Sequence, residues 1–143
     1  MTDLVPFRRE HVGMIAAGGI SELGRLVLTE DVLRAFERQS SWTMLAGALP
    51  IAAGGVFELW AGRFQGWALI NRQAGPYMLD ITRAARKVLA GARPGRIELT
   101  VRADFTAAHR WARMLGFEVE TPRMRNFGPD GADHVGYVCL QGG

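Results

Sequence analysis

Glu58 is a candidate for proton transfer, because it is a carboxylate within an apolar run of the sequence. Its neighbours are the aromatic and aliphatic residues Phe57, Leu59 and Trp60. Partial burial among such side chains raises the pKa of a carboxyl group, which is how enzymes prepare a general base for use near neutral pH. A glutamate on the solvated face of a hairpin is the commoner case, so the sequence leaves both interpretations of Glu58 open.

A second candidate site lies around Gly75-Pro76, where an extended segment gives way to a helical pattern. Proline is tolerated in the first turn of a helix, and the N-terminus of a helix attracts anions. Arg72 and Arg83 flank this point and could add charge-assisted hydrogen bonds to phosphate. The alternative is that Gly75-Pro76 merely starts a helix and that both arginines are solvated.

The remaining polar residues do not form a metal-binding pattern. His11, His109 and His134 are far apart in sequence, and we expect His109 on the exposed side of the last helix. Cys139 is the single cysteine, which excludes an internal disulfide and a multi-cysteine metal site. The sequence therefore predicts no metal and a reducing setting.

Composition indicates one globular domain over residues 1–143, because 48% of the residues are hydrophobic. The net charge of +3 comes mostly from arginine, with Lys87 the only lysine, and argues weakly for an anionic partner. No apolar segment is long enough to span a bilayer, and residues 1–12 mix acidic and basic side chains. We expect a cytoplasmic protein that does not associate with membranes.

Nucleic-acid binding is not expected from the four tryptophans. Trp42, Trp60, Trp67 and Trp111 all lie in apolar strand or helix patterns without a cluster of arginines beside them. Base-stacking surfaces combine aromatic side chains with a basic groove, so this pattern favours packing.

The first half of the chain reads as strand, helix, helix and three strands. Residues 4–7 predict a short strand and 9–17 a helix. Thr29 is a good N-cap for a helix that ends near Ser40, with Glu30 and Asp31 in its first turn. Apolar runs at 42–46, 51–60 and 64–71, separated by short turns, predict an antiparallel meander.

The second half alternates helices with strands. The spacing of apolar residues predicts a helix over 79–90, a strand over 96–102, a helix capped by Asp104 or Thr106, and strands over 117–125 and 134–140. Gly116 can take the left-handed conformation that ends a helix. The fold class is therefore α+β, a mixed but mostly antiparallel sheet of about seven strands with about four helices.

The ending of the chain resembles that of the GCN5-related N-acetyltransferases. Gly116, Phe117, Gly131, Asp133 and Tyr137 occupy the places where this family shows helix, Gly-Phe, strand, a turn with glycine and aspartate, and a strand with tyrosine. The resemblance covers residues 42–140. More narrowly, the segment IAAGGVFELW at 51–60, followed by Trp67, resembles acetyltransferase-like proteins of tailed bacteriophages, some of which are associated with virion assembly.

The resemblance implies transfer of an acetyl group from acetyl-CoA to an amine, carried by a small molecule or a protein. Glu58 would be the general base, because Gln65 stands where the family often has a glutamate. Ala112 stands where a tyrosine often serves as general acid, and only Gly75 matches the glycines of the pyrophosphate loop. The residues that the resemblance assigns to acetyl-CoA are Leu69, Ile70 and Thr100 for the acyl chain, and Arg72, Gly75 and Arg83 for the phosphates.

These departures leave a second function open. A fold can persist after its chemistry is lost. The chain could instead be a non-catalytic binding or assembly protein whose partners are phage structural proteins.

Overall fold

The computed structural model describes residues 1–17, 29–91 and 95–141. The described residues contain seven strands and four helices in the predicted order. The strands are β1 (Thr2–Pro6), β2 (Ser40–Ala46), β3 (Leu49–Trp60), β4 (Arg63–Ile70), β5 (Gly95–Arg102), β6 (Glu118–Met124) and β7 (His134–Gln141). The helices are α1 (Glu10–Ala17), α2 (Glu30–Arg38), α3 (Met78–Ala90) and α4 (Thr106–Met114), with a 3₁₀ turn over Gly75–Tyr77 before α3.

The strands form a seven-stranded sheet in the order β1-β2-β3-β4-β5-β7-β6. β1 pairs antiparallel with β2, β2 with β3, β5 with β7, and β6 with β7. β4 and β5 run parallel. The predicted α+β class and its mostly antiparallel sheet are confirmed.

The chain divides into two compact units. The first comprises Met1–Phe57 and Gly66–Ala92, and the second comprises Glu58–Gln65 and Arg93–Gly143.

In the first unit, α1 and α2 pack on the sheet around an aromatic core. The ring of Trp67 stacks on Phe36 with centroids 4.1 Å apart, and Phe7 meets Trp67 edge-on at 5.0 Å. Burial of three such side chains is a large part of the hydrophobic stabilisation of a unit this size. The other members of this core are Ile15, Leu33, Ala53 and Leu69.

Gly54 on β3 is needed for this packing. A Cβ at this position would lie 3.0 Å from the Trp42 ring and 3.0 Å from the carbonyl oxygen of Trp67. Any larger residue would push the strand away from its aromatic neighbours.

In the second unit, α4 buries Ala108 and Ala112, and β5 and β7 bury Ile97, Val101 and Tyr137. The end of α4 is a Schellman motif: the Gly116 N–H donates to the Arg113 carbonyl and the Phe117 N–H to the Ala112 carbonyl, both at 3.0 Å. Gly116 has φ +95, as predicted from its place in the sequence.

The predicted helix caps were right at one helix and wrong at another. The Thr29 side chain accepts a hydrogen bond from the Val32 N–H, which confirms it as the cap of α2. At α4 the N-cap position is Phe105, without a capping side chain, so neither Asp104 nor Thr106 caps the helix. The Asp104 carboxylate accepts a hydrogen bond from Arg102 at 2.9 Å instead, and the helix begins one residue too late for Asp104 and one too early for Thr106.

Candidate functional site

The parallel pairing of β4 with β5 is short. In the described chain its register covers Arg63 with Arg96, Phe64 with Ile97, and Gln65 with Glu98. β4 nevertheless continues as a strand to Ile70. Among the described residues, the register of β4 with β5 includes no residue after Gln65, so the backbone groups of residues 67–70 are not part of that ladder.

Leu69 and Ile70, predicted to lie along an acyl chain, end this stretch of β4. Both side chains are buried, and that of Leu69 belongs to the aromatic core beneath α1 and α2. Contact between a ligand and Leu69 would therefore have to involve its backbone.

Asn71 fixes the turn that follows β4. Its Nδ2 donates to the Ile15 carbonyl of α1 at 2.9 Å, and its Oδ1 accepts from the Gln73 N–H at 2.7 Å. Its own N–H donates to the Ile51 carbonyl at 2.9 Å. Sequence reasoning treated Asn71 only as a strand end, although an asparagine after an apolar run is a typical turn former.

Most backbone N–H groups of the turn over residues 71–78 donate to acceptors within the same turn. The N–H groups of Gln73 and Ala74 donate to Asn71, that of Tyr77 to Ala74, and that of Met78 to Gly75. Pro76 has no N–H to offer. These groups hold the 3₁₀ turn together and are not directed at a ligand.

Open space remains beside Gly75. A Cβ built there meets no other atom within 4 Å, so a ligand can approach the backbone at this point. Arg72 and Arg83 are both exposed. Each can therefore swing toward a ligand without disturbing the core.

Asp80 adds a negative charge to the first turn of α3. Its carboxylate accepts a hydrogen bond from the Thr2 hydroxyl at 2.8 Å and lies 3.8 Å from the Arg83 guanidinium. A carboxylate here interacts favourably with the positive end of the helix dipole and stabilises the helix. It also repels any other anion that approaches.

The other two predicted site residues, Glu58 and Thr100, belong to the second unit, where both are half-buried. Leu69, Ile70, Arg72, Gly75 and Arg83 all belong to the first. The first unit thus brings together five of the seven predicted residues in one continuous stretch of chain.

Glu98, which the sequence did not single out, is the most strongly bound carboxylate of the second unit. The Arg63 guanidinium donates to it twice, at 2.6 and 2.8 Å, and Arg96 donates at 2.5 Å. Arg63 and Arg96 lower the pKa of Glu98 to about 2, against a cost of partial burial. A carboxylate with so low a pKa is a poor general base at neutral pH.

His109 and Tyr137 form a second polar pair in this unit. The Tyr137 hydroxyl lies 2.6 Å from His109 Nδ1, and His109 Nε2 lies 3.0 Å from the carbonyl oxygens of Arg102 and Ala103. Because carbonyls only accept, Nε2 carries a proton, and in the neutral ring the Tyr137 hydroxyl donates to Nδ1. The prediction that His109 is exposed was wrong, because this pair draws the imidazole in against the β5–α4 connection.

Two kinds of feature are absent from the described residues. None of the helices found there is both long and apolar enough to cross a bilayer. Within the same residues, no three side chains among histidine, cysteine, aspartate and glutamate are grouped as metal ligands.

Comparison with known proteins places the fold. No protein-family model matches the sequence. No curated protein matches it either. Among solved structures, the ribosomal-protein-S18-alanine N-acetyltransferase from Escherichia coli aligns over 99% of this chain and 94% of its own, with TM-score 0.70 and 15% identity.

Two further structures agree. Ard1 from Thermoplasma volcanium aligns over 98% of this chain and 97% of its own, with TM-score 0.76 and 10% identity. A GNAT-family acetyltransferase from Bacillus anthracis aligns over 97% and 94%, with TM-score 0.71 and 14% identity. The chain therefore has the fold of the GCN5-related N-acetyltransferases, as the sequence predicted.

Proposed function

We propose that this protein is an acetyl-CoA-dependent N-acyltransferase that acts on an amine of a small molecule or a protein. The observation that carries the proposal is the early end of the β4–β5 register at Gln65 and Glu98, while β4 continues to Ile70. An unpaired strand edge binds extended, amide-containing ligands by adding them as a further strand. The pantetheine arm of acetyl-CoA is such a ligand, and the fold is shared with N-acetyltransferases.

The first unit provides some of the groups that would bind acetyl-CoA, although fewer than a glycine-rich loop would. Gly75 leaves room for close approach, and the exposed Arg72 and Arg83 can neutralise phosphate charge. The backbone of the turn contributes little, because its donors are used internally. Binding of the phosphates is therefore assigned to side chains, with the amino end of α3 adding a weaker attraction.

Acetyl-CoA, when bound, supplies an acyl group activated as a thioester. The amine nitrogen forms a bond to the carbonyl carbon as the carbon–sulfur bond breaks. Glu58 is the residue proposed to accept the proton that the amine loses, since Glu98 is held ionised by two arginines. The sulfur leaves as a thiolate that takes a proton from solvent.

The test is release of free CoA thiol from acetyl-CoA in the presence of a panel of polyamines, amino acids and peptides with free N-termini. Wild-type protein is expected to release thiol with at least one acceptor. Glu58→Gln should lower kcat about 10²-fold or more while KM for acetyl-CoA stays within about twofold, because only proton removal is lost. Glu118→Gln, an exposed carboxylate on β6, is the matched control and should match wild type.

A non-catalytic binding protein is the second candidate. Ala112 is a buried helix residue without a titratable group, and the turn around Pro76 offers few donors. This function predicts that acetyl-CoA or a partner binds without turnover. Binding in calorimetry, with no thiol released for any acceptor, would favour it over the enzyme.

A further inference from the structure

One face of the second unit carries a row of side chains that the acyltransfer site does not use. Across this face, Arg63 on β4 lies beside Arg96 on β5, and Arg96 lies beside Leu140 on β7. Directly paired residues point to the same side of a sheet, so these three side chains share one face. Glu98, two residues from Arg96, shares it as well. We call this face the Arg-Glu face.

The charges on the Arg-Glu face are fixed in place. Glu98 is bound by Arg63 and Arg96, and Arg96 also reaches the carboxylate of Glu120 on β6 in a bidentate ion pair. Arg63 in turn lies 4.4 Å from the ring centroid of Trp60. Side chains held in this way lose little conformational freedom when a partner covers them.

Two apolar side chains on this face are left uncovered. Trp60 is 60% exposed and Leu140 is 72% exposed. Tryptophan and arginine are the residue types most enriched among those that dominate binding energy at protein interfaces. An exposed tryptophan stacked on a fixed arginine is therefore a ready contact for a protein partner.

The order of charges across the face indicates which partner. The strands follow one another as β4, β5, β7, β6. The positive Arg63 is at the β4 end of the face, and the negative Glu118 and Glu120 are at the β6 end, so the two ends carry opposite charge. A two-fold axis that runs along the strands, between β5 and β7, places β4 of one copy over β6 of another. Arg63 then faces Glu120 in both directions, and the two Leu140 side chains meet beside the axis.

We propose that the Arg-Glu face is the interface of a weak homodimer. Each half of the interface matches the other in charge, which an interface between identical chains requires. Pairing through the outer edge of β6 is the less suitable route, because Pro122 and register shifts at Val119/Thr121 and Thr121/Met124 interrupt that edge. The inference is independent of the acyltransferase activity.

Sedimentation velocity of the protein over a range of concentrations tests the proposal. We expect the 15.7 kDa chain to form a species of twice that mass at high concentration, and higher salt should weaken it. Leu140→Ser and Trp60→Ser should each weaken dimerisation about tenfold or more, since each removes apolar area from the interface. Both side chains are exposed, so the variants should keep the wild-type Tm.

Val119→Ser is the matched control. Val119 is a 43% exposed residue on β6 that pairs with Tyr137, and it therefore lies on the opposite face of the sheet. Its dimerisation should equal that of wild type. A wild-type protein that stays monomeric up to about 1 mM, or a dimer that Leu140→Ser and Trp60→Ser weaken no more than Val119→Ser, would overturn the proposal.

Discussion

At the scale of single residues, Glu98 shows how one carboxylate can organise a surface. It is more buried than its partners, with 17% of its side chain exposed, and both arginines donate to it at short distances. Such bonds are strong because donor and acceptor are both ionised. Removing the carboxylate leaves two guanidinium groups side by side without their shared partner.

Glu98→Gln should lower the free energy of unfolding at pH 7 by about 1–3 kcal/mol. The pKa of Glu98 is lowered to about 2, so its contribution is complete above the ordinary value of 4.5 and is lost as the pH falls from there toward 2. Urea unfolding at pH 7 and at about pH 2 should therefore show a difference between wild type and variant that shrinks at the lower pH. An equal difference at both values would contradict the assignment.

His11 ties α1 to β2 in a manner that depends on its neutral form. The Arg8 N–H donates to Nδ1 at 3.1 Å, and the buried Thr43 hydroxyl lies 2.8 Å from the same atom. Burial lowers the pKa of His11, and Arg8 lowers it further, against opposing effects of Glu10 and Glu37. Protonation at Nδ1 would remove the acceptor that both donors share.

The unfolded chain therefore binds a proton at His11 more readily than the folded chain does. Stability from this residue should be complete above the ordinary pKa of 6.5 and should fall as the pH is lowered through the folded value. His11→Gln should be less stable at pH 8 and should lose less stability than wild type on going to pH 5. Thermal unfolding at the two pH values measures this, and identical losses in both proteins would refute it.

At the scale of elements, the end of α4 depends on the left-handed backbone of Gly116. Gly116→Ala should cost about 1–2 kcal/mol, because a Cβ at φ +95 is strained even though the space around it is open. Gly13→Ala, at an uncrowded position within α1, is the control and should instead stabilise by about 0.5–1 kcal/mol. Chemical denaturation measures the free energy of unfolding of both variants. If Gly116→Ala were as stable as Gly13→Ala, the requirement for a left-handed backbone at Gly116 would be contradicted.

The amino end of α3 combines attraction and repulsion for an anion. Asp80→Asn removes a carboxylate from its first turn and should tighten acetyl-CoA binding about two- to fivefold, while the amide oxygen can still accept from Thr2. Asp31→Asn makes the same change in the first turn of α2 and should leave binding unchanged. Calorimetric titration of both variants is the measurement, and weaker binding by Asp80→Asn would contradict the placement of phosphates there.

The sequence predicted elements well and contacts between elements poorly. Apolar periodicity and the turn residues predicted each strand and helix of the described residues to within a few residues, because those signals are local. The sequence did not predict the ion-pair network of Arg63, Glu98 and Arg96. Arg63 and Glu98 are 35 positions apart, and only the parallel register brings them together. His109 was expected at the surface for the same reason. Its partner Tyr137 is 28 positions away, and the apolar spacing within a helix carries no information about a residue that distant.

The contacts around the candidate site could not be predicted from the sequence. Arg72 and Gly75 precede α3 and Arg83 lies within it, and their role toward acetyl-CoA stays a prediction. The internal use of the turn's donors and the anchoring role of Asn71 depend on Ile15 and Ile51, which come from α1 and β3. No local pattern around residue 71 contains that information.

At the scale of the whole molecule, a net charge of +3 attracts any polyanion. Acetyl-CoA carries several negative charges, so binding by itself would not show that β4 receives the pantetheine arm. A short anion that lacks this arm, such as inorganic pyrophosphate, separates the two contributions.

Thermal unfolding with acetyl-CoA, and in parallel with inorganic pyrophosphate, tests whether β4 receives the pantetheine arm. If the stretch of β4 after Gln65 and the start of α3 hold acetyl-CoA, a concentration about 100 times its Kd should stabilise the protein by about 2.7 kcal/mol, and pyrophosphate at the same concentration should give clearly less. Arg72→Ala should reduce the gain. No stabilisation at about 1 mM acetyl-CoA, or equal stabilisation by both compounds, would contradict the account.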